Sequence, residues 1–313
     1  MTATLPRAAV GTPHHVLSAA DLAPLGTEKL LAHAQALREA RAARMLKPEL
    51  AARQVALLFD KPSLRTKVSF DIGVELLGGH AVFLGADEVK LGQREPASDI
   101  GANLGRWVDA IVVRASSPGI IGELAAASSV PVINALDDRE HPCQALADML
   151  TLRQQWGALA GRTLAFVGDG NNVCHSLVIA AALCGMHVRV ATPPEHEPDL
   201  AVIATARGLT SASVQVMTDP VEAVSGADAV YTDVWTSMGF EAEASVRRAR
   251  FAPYQVNAEL LTHAPEALVM HCLPAHRGEE VTADVLDGPR SVALEQAENR
   301  MYAQQALLVA LLT

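Results

Sequence analysis

Aromatic residues are few: Phe, Trp and Tyr together make up 4% of a chain that is 50% hydrophobic. Ala, Val and Leu must therefore do the filling, as in helix-covered parallel sheets. Cysteine is scarcer still. The four present, Cys143, Cys174, Cys184 and Cys272, form no C-x-x-C pair. Neither a zinc site nor a disulfide framework is indicated, and a reducing, cytoplasmic setting is the expectation. No apolar run approaches the roughly 18–20 residues that cross a bilayer. The longest, 177–183 and 306–312, read as helix faces in a soluble core, and Met1 to Val10 lacks the apolar stretch of a secretory signal. Positive charge is in deficit, with 25 Lys and Arg against 35 Asp and Glu for a net −10. That balance excludes a general nucleic-acid or anionic-membrane binder, yet leaves room for a small basic pocket and an anionic ligand.

What is present suffices for two cores. At about 100–200 residues per domain the 313 residues predict two domains. Short β-branched runs at 55–59, 81–84, 110–114 and 130–134 alternate with helical stretches, and the pattern resumes at 163–167, 188–191, 213–217, 229–232 and 268–271. Val68, Ile72 and Leu76 recur at helical spacing before a Gly78-Gly79 stop. Such alternation predicts an α/β fold: two doubly wound domains, each on a central parallel sheet. Residues 148–156 read as a helix, and 157–161 lead into a fresh strand. The division is therefore set at 1–147 and 148–294, and a last helix, about 295–312, belongs to either domain.

Several segments carry chemistry. Ser63-Leu64-Arg65-Thr66 follows a strand and opens a helix. Two hydroxyls, a planar guanidinium and the free amides of a helix N-terminus suit a phosphate dianion, although an ordinary capped helix start has the same look. His141-Pro142-Cys143-Gln144 offers an imidazole that donates to a carbonyl and an amide that both donates and accepts. Arg114 ends a strand at its carboxyl edge, where open α/β sheets place ligands. The turn Gly168-Asp169-Gly170-Asn171-Asn172-Val173 invites a dinucleotide reading, but no acidic residue ends the next strand, 188–191. Asp233 and Ser237, four residues apart after a strand, can jointly receive an ammonium group. Cys272, in His271-Cys272-Leu273-Pro274, ends another strand and is equally compatible with a buried core thiol. All of these fall at carboxyl ends of strands, which predicts one crevice: anion donors from the first domain and ammonium acceptors from the second.

These motifs together resemble the ornithine carbamoyltransferases of the aspartate/ornithine carbamoyltransferase superfamily, nearly end to end. The likeness rests on S-x-R-T at Ser63 to Thr66, H-P-x-Q at His141 to Gln144, D-x-W-x-S-M-G at Asp233 to Gly239, H-C-L-P at His271 to Pro274, and Ala297-Glu298-Asn299-Arg300. The resemblance implies carbamoyl transfer from carbamoyl phosphate to the δ-amine of L-ornithine, giving L-citrulline and phosphate, as a step of arginine biosynthesis. Ser63, Leu64, Arg65 and Thr66 would hold the phosphate, and Arg114 would bridge it to the carbonyl oxygen. Thr66, Arg114 and His141 would polarise that carbonyl. Gln144, the backbone at Cys272 and Leu273, and Arg300 would hold the carbamoyl end. Asn172 would bind the ornithine carboxylate, with Asp233, Ser237 and the Met238 backbone on the α-ammonium. Asp233 and Cys272 would handle the δ-amine proton.

Neither metal nor cofactor is implied. The resemblance also implies two linking helices, a last helix packed on the first domain, and a homotrimer with sites at subunit borders. Neither nucleic acid nor membrane is a partner. Two departures stand out. Lys90 occupies the place where the family often carries Gln or His reaching into a neighbour's site, and Ser98-Asp99-Ile100-Gly101 replaces the usual D-T-A. Transfer to putrescine or aspartate is the nearest alternative: the first would leave the Asn172, Asp233 and Ser237 clamp purposeless, the second would want cations at Asp233. A dinucleotide-binding oxidoreductase is the alternative from another class, and a non-catalytic binding protein a third.

Overall fold

The computed structural model describes residues 13–236 and 244–313. Along the chain run α1 (Thr27–Ala42), β1 (Gln54–Phe59), α2 (Leu64–Leu76), β2 (His80–Leu84), α3 (Ala86–Val89), α4 (Ala97–Leu104), β3 (Ala110–Arg114), α5 (Pro118–Ala127), β4 (Val132–Leu136) and α6 (Pro142–Trp156). Then come β5 (Thr163–Val167), α7 (Asn172–Leu183), β6 (His187–Ala191), α8 (Leu200–Leu209), β7 (Val214–Met217), α9 (Pro220–Val224) and β8 (Ala229–Thr232). The described chain closes with α10 (Ala244–Phe251), β9 (Leu268–His271), α11 (Ala283–Leu286) and α12 (Ala293–Leu312).

The strands form a four-stranded sheet in the order β2-β1-β3-β4 and a five-stranded sheet in the order β7-β6-β5-β8-β9. Every pairing is parallel. Side chains of β1 alternate between two cores: Val55, Leu57 and Phe59 join the body that includes α6 and α12, while Ala56 and Leu58 join Ile100 and Leu124 on the other face. Burial on both faces explains why these strands read as nearly continuous apolar runs. In each sheet the winding reverses once, between β1 and β3 and between β5 and β8. The crevice at the carboxyl ends of such a pair is where open α/β sheets bind ligands.

One core cluster runs unbroken from Phe59 through Leu146 and Leu150 to Phe166 and Leu177. Its centre is α6, buried along its entire run from Pro142 to Leu152 and packed against α1, α7 and α12. The helix starts earlier than the 148–156 expected, so position 148 lies at its middle. Proline at the first helical position costs nothing, because that N–H has no intrahelical partner. The fourth strand likewise runs at Val132–Leu136 rather than 130–134, because Pro131 precedes it and enters the ladder only through its carbonyl, which accepts from the Ile111 N–H at 2.9 Å. In α2 the buried face is Thr66, Phe70, Gly73 and Val74, whereas Val68 and Ile72 stay 43% and 42% exposed beside Leu64 at 75%. α12 lies on α1, α2 and α6 and is tied to α2 where Gln305 Nε2 donates to the Gly73 carbonyl at 2.8 Å.

The Gly101 departure has a local cause. A Cβ at this position would collide with the backbone carbonyl of Leu124 in α5, whose carbon lies 3.2 Å away, so glycine lets α4 and α5 meet closely. Gly101→Ala should lower unfolding free energy by about 1–3 kcal/mol, since a backbone atom cannot swing aside. Denaturant unfolding measures it; an unchanged midpoint and slope would refute the close-approach role.

Candidate active site

The switch point of the first sheet gathers guanidinium groups. Ser63 caps α2, its Oγ accepting from the Thr66 N–H at 3.3 Å, so the free amides of a 13-residue helix open beside the end of β1. Arg114, the last residue of β3, is 7% exposed. From α12 the buried Arg300 donates through Nη2 to Thr66 Oγ1 at 2.8 Å and through Nη1 to Gln144 Oε1, and it approaches His141 Nε2 at 3.4 Å. Thr66, Arg114, His141, Gln144 and Arg300 are thus brought together from four separate elements. Arg65 stands close enough to depress both Arg114 and Arg300. The Leu64 side chain points to solvent.

Electrostatics mark this niche. Burial, Arg300 and Arg65 bring the Arg114 guanidinium down to about 10, with Asp60 alone opposing them. Burial, Arg300 and Arg114 hold His141 well below the usual imidazole range, so its ring is neutral at neutral pH. With Arg300 facing Nε2, the proton sits on Nδ1, which has no partner among the described residues. The Nε atoms of Arg114 and Arg300 are also buried without acceptors. Several cations and neutral donors face one another with little countercharge, an arrangement that favours an anion.

The switch point of the second sheet supplies different groups. Asp233 follows β8 and is buried. Its Oδ1 accepts from the Cys272 thiol at 3.0 Å and its Oδ2 from Asn171 Nδ2 at 2.8 Å. Burial and Asp233 push the Cys272 thiol well up, so it remains protonated and acts as donor. Asn171, one of two asparagines that the sequence offered for a small polar ligand at this turn but not among the ornithine contacts expected, also caps α7. Its signal was the N-cap position itself. Asn172 donates to the Asp137 carbonyl at 2.6 Å. Leu273 adopts φ +58, a left-handed conformation costly for a branched side chain. His271 fixes that segment: Nδ1 accepts from the Leu273 N–H at 2.9 Å, and Nε2 lies 3.2 Å from Glu280 Oε1 in a fully buried pair. Donor atoms of Asp233, His271 and Cys272 cluster as metal ligands would, and so do those of His276, Glu279 and Glu280. Both His271 nitrogens are already engaged, however.

Residues missed by sequence reasoning join the two niches. Asp148 Oδ1 accepts from Gln144 Nε2 at 2.8 Å and from Gln296 Nε2 at 2.9 Å, and Gln296 Oε1 accepts from the His271 N–H at 2.9 Å. Lys90 lies apart, exposed on a loop that borders a groove of about 520 Å³ with Asp60, Lys61 and Ser116. Ser237 and Met238 lie outside the described residues. The glycine turn after β5 does not fit a pyrophosphate: a Cβ on Gly170 would stand 2.6 Å from the His196 carbonyl oxygen, so the chain's own backbone occupies that approach.

Fold and site define a two-domain α/β protein with a buried guanidinium niche at the switch point of one parallel sheet and a carboxylate–thiol pair at that of the other. Residues 14–154 match the carbamoyl-P binding domain of aspartate/ornithine carbamoyltransferase, and residues 160–311 match its Asp/Orn binding domain. The chain belongs to the aspartate/ornithine carbamoyltransferase family. It is 49% identical over 300 residues to the ornithine carbamoyltransferase of Carboxydothermus hydrogenoformans, covering 95% of this chain and 96% of that one. It is 52% identical over 263 residues to that of Methanothermobacter thermautotrophicus, covering 83% and 87%. The solved ornithine carbamoyltransferase of Pyrococcus furiosus matches with a TM-score of 0.93 at 44% identity, over 96% of this chain and 97% of that one.

The turn after β5 also carries a pH signature. Burial pushes the Asp169 carboxyl up to about 6, with Arg247 opposing and Asp233 adding. Unfolded, a carboxyl of this kind loses its proton near about 3.9. Between about pH 4 and 6 the folded chain therefore holds a proton that the unfolded chain has released, and stability falls as pH rises through that window. Asp169→Asn has no such proton to lose. Its stability relative to wild type should climb by roughly 2–3 kcal/mol from about pH 4 to 7, read by thermal melting. A pH-independent difference would contradict the burial effect.

Proposed function

We propose that this protein transfers the carbamoyl group of carbamoyl phosphate to the δ-amine of L-ornithine, releasing L-citrulline and phosphate. The observation that carries the reading is the buried guanidinium niche of Arg114 and Arg300, with Arg65 beside it and a capped helix N-terminus at its edge. A phosphate dianion relieves the mutual repulsion of these cations and accepts from the amides after Ser63.

In this reading Ser63, Leu64, Arg65 and Thr66 hold the phosphate, the Leu64 contribution being its backbone amide. Thr66, Arg114 and His141 donate to the carbonyl oxygen and stabilise the oxyanion as the amine attacks, each such donor being worth roughly 3–4 kcal/mol. Gln144, Arg300 and the carbonyls of Cys272 and Leu273 orient the carbamoyl end. Asn172 takes the ornithine carboxylate, and Asp233, Ser237 and the Met238 backbone its α-ammonium. The δ-amine has a pKa of about 10.4, so about one molecule in a thousand is free base near neutrality. The Asp233–Cys272 pair accepts the proton as the new C–N bond forms, and the C–O bond to phosphate then breaks with its electron pair leaving on oxygen.

The same reading divides the chain into a carbamoyl-phosphate domain, 1–147, and an amino-acid domain, 148–294, with α12 serving the first. Support comes from the two sheets and from the seat of α12 on α2 and α6. It also makes the protein a trimer of arginine biosynthesis that works in the cytoplasm. The exposed apolar stripe of Leu64, Val68 and Ile72, beside the phosphate site, suits a subunit border, across which Lys90 reaches the neighbour's phosphate.

A ureido-product assay with carbamoyl phosphate and ornithine, putrescine, aspartate or N-acetylornithine tests the acceptor. Ornithine should lead by roughly a hundredfold or more in kcat/KM; another preferred acceptor would overturn the assignment. Lys90→Met should raise the KM for carbamoyl phosphate about tenfold by removing one phosphate contact. An unchanged KM would dispose of the role between subunits.

A further inference from the structure

Asp148 is fully buried, carries no role in the mechanism above, and is one helical turn from Gln144 on α6. A single oxygen of its carboxylate receives two amide groups, Gln144 Nε2 at 2.8 Å and Gln296 Nε2 at 2.9 Å. An ionised carboxylate only accepts, so both glutamines must present NH2 to it and turn their oxygens away. The Gln144 oxygen then faces Arg300, and the Gln296 oxygen takes the His271 N–H at 2.9 Å, immediately before Cys272.

We propose that Asp148 is a positioning residue for the carbamoyl end of the site. Through Gln144 it aims an acceptor at the carbamoyl NH2, and through Gln296 it holds the backbone segment whose Cys272 and Leu273 carbonyls complete that cradle. Its reach is one-sided. None of these hydrogen bonds touches Ser63 or Arg114, and they reach the phosphate end only indirectly, through the Arg300 that faces the Gln144 oxygen. The inference rests on the reading that carbamoyl phosphate fills the niche.

Calorimetric titration separates the two ends of the ligand. Phosphonoacetamide, which joins an amide to a phosphonate, probes both, and inorganic phosphate probes one. Asp148→Asn keeps the shape but brings a donor where only acceptance worked. It should weaken phosphonoacetamide about tenfold, the worth of one well-made hydrogen bond, and leave inorganic phosphate as tight as before or tighter. Equal losses for both probes, or no loss for either, would overturn the proposal. Should Asp148→Asn fail to fold, Gln296→Met is read identically: it removes one of the two amides at similar volume, and phosphonoacetamide alone should weaken. Wild-type protein that bound neither probe would remove the reading beneath the proposal, and the proposal with it, whereas selective binding by wild type with an unaltered ratio in both variants would sink the Asp148 role alone.

Discussion

Like charges brought together out of water are the constraint around which this molecule is organised. Arg114 ends β3, Arg65 lies in the first turn of α2, and Arg300 arrives from α12. Carboxylates act on them only through space, Asp60 on Arg114 and Asp148 on Arg300. Burying guanidinium groups in this way is unfavourable unless an anion answers them. The surrounding framework explains how the cost is borne. Strands covered on both faces, a Gly101 contact that seats α4 on α5, and a long α12 locked to Gly73 give a framework rigid enough to hold the cations in place.

The second niche has the opposite character. Asp233 is held between a thiol and an amide, so its carboxylate is oriented in advance, as the proposed ammonium clamp requires. The His271–Glu280 pair, buried completely, governs the short segment that follows β9 and thereby the placement of Cys272. Both niches stand where the winding of their own sheet reverses, and α6 joins the sheets through a continuous apolar body. Geometry of this kind is what the proposed transfer requires: two niches held on one continuous body without either sheet reshaping itself.

Much of this was legible from sequence, for identifiable reasons. Strand cores such as 110–113 and 163–167 stood out because both faces are buried and the residues are β-branched or apolar throughout. Motif residues from Ser63 to Cys272 were visible because turns after strands carry their chemistry in short runs, whereas Arg300, inside α12, was reached only through the family resemblance. Other features were hidden. The Val68 and Ile72 stripe looked like a core face, yet α2 buries the face of Phe70 and Gly73 instead, and spacing alone does not tell two apolar faces apart. The start of α6 was hidden by a His-Pro pair that reads equally well as loop. Asp148 and Gln296 were invisible because the bond that unites them spans 148 positions in the chain. Asn171 was overshadowed by its neighbour, although its N-cap position is what aims its amide at Asp233.

The central claim is that one cleft holds a doubly charged leaving group against the arginines and an α-amino acid against Asp233. A crystal structure with a bisubstrate analogue, a phosphonoacetyl group joined to the δ-nitrogen of ornithine, tests it most directly. The phosphonate should lie between the Arg65 and Arg114 side chains at the head of α2, the amide oxygen should face Thr66 and His141, and the α-ammonium should sit at Asp233. An analogue bound elsewhere, or bound with its amino-acid head on the arginines, would contradict it.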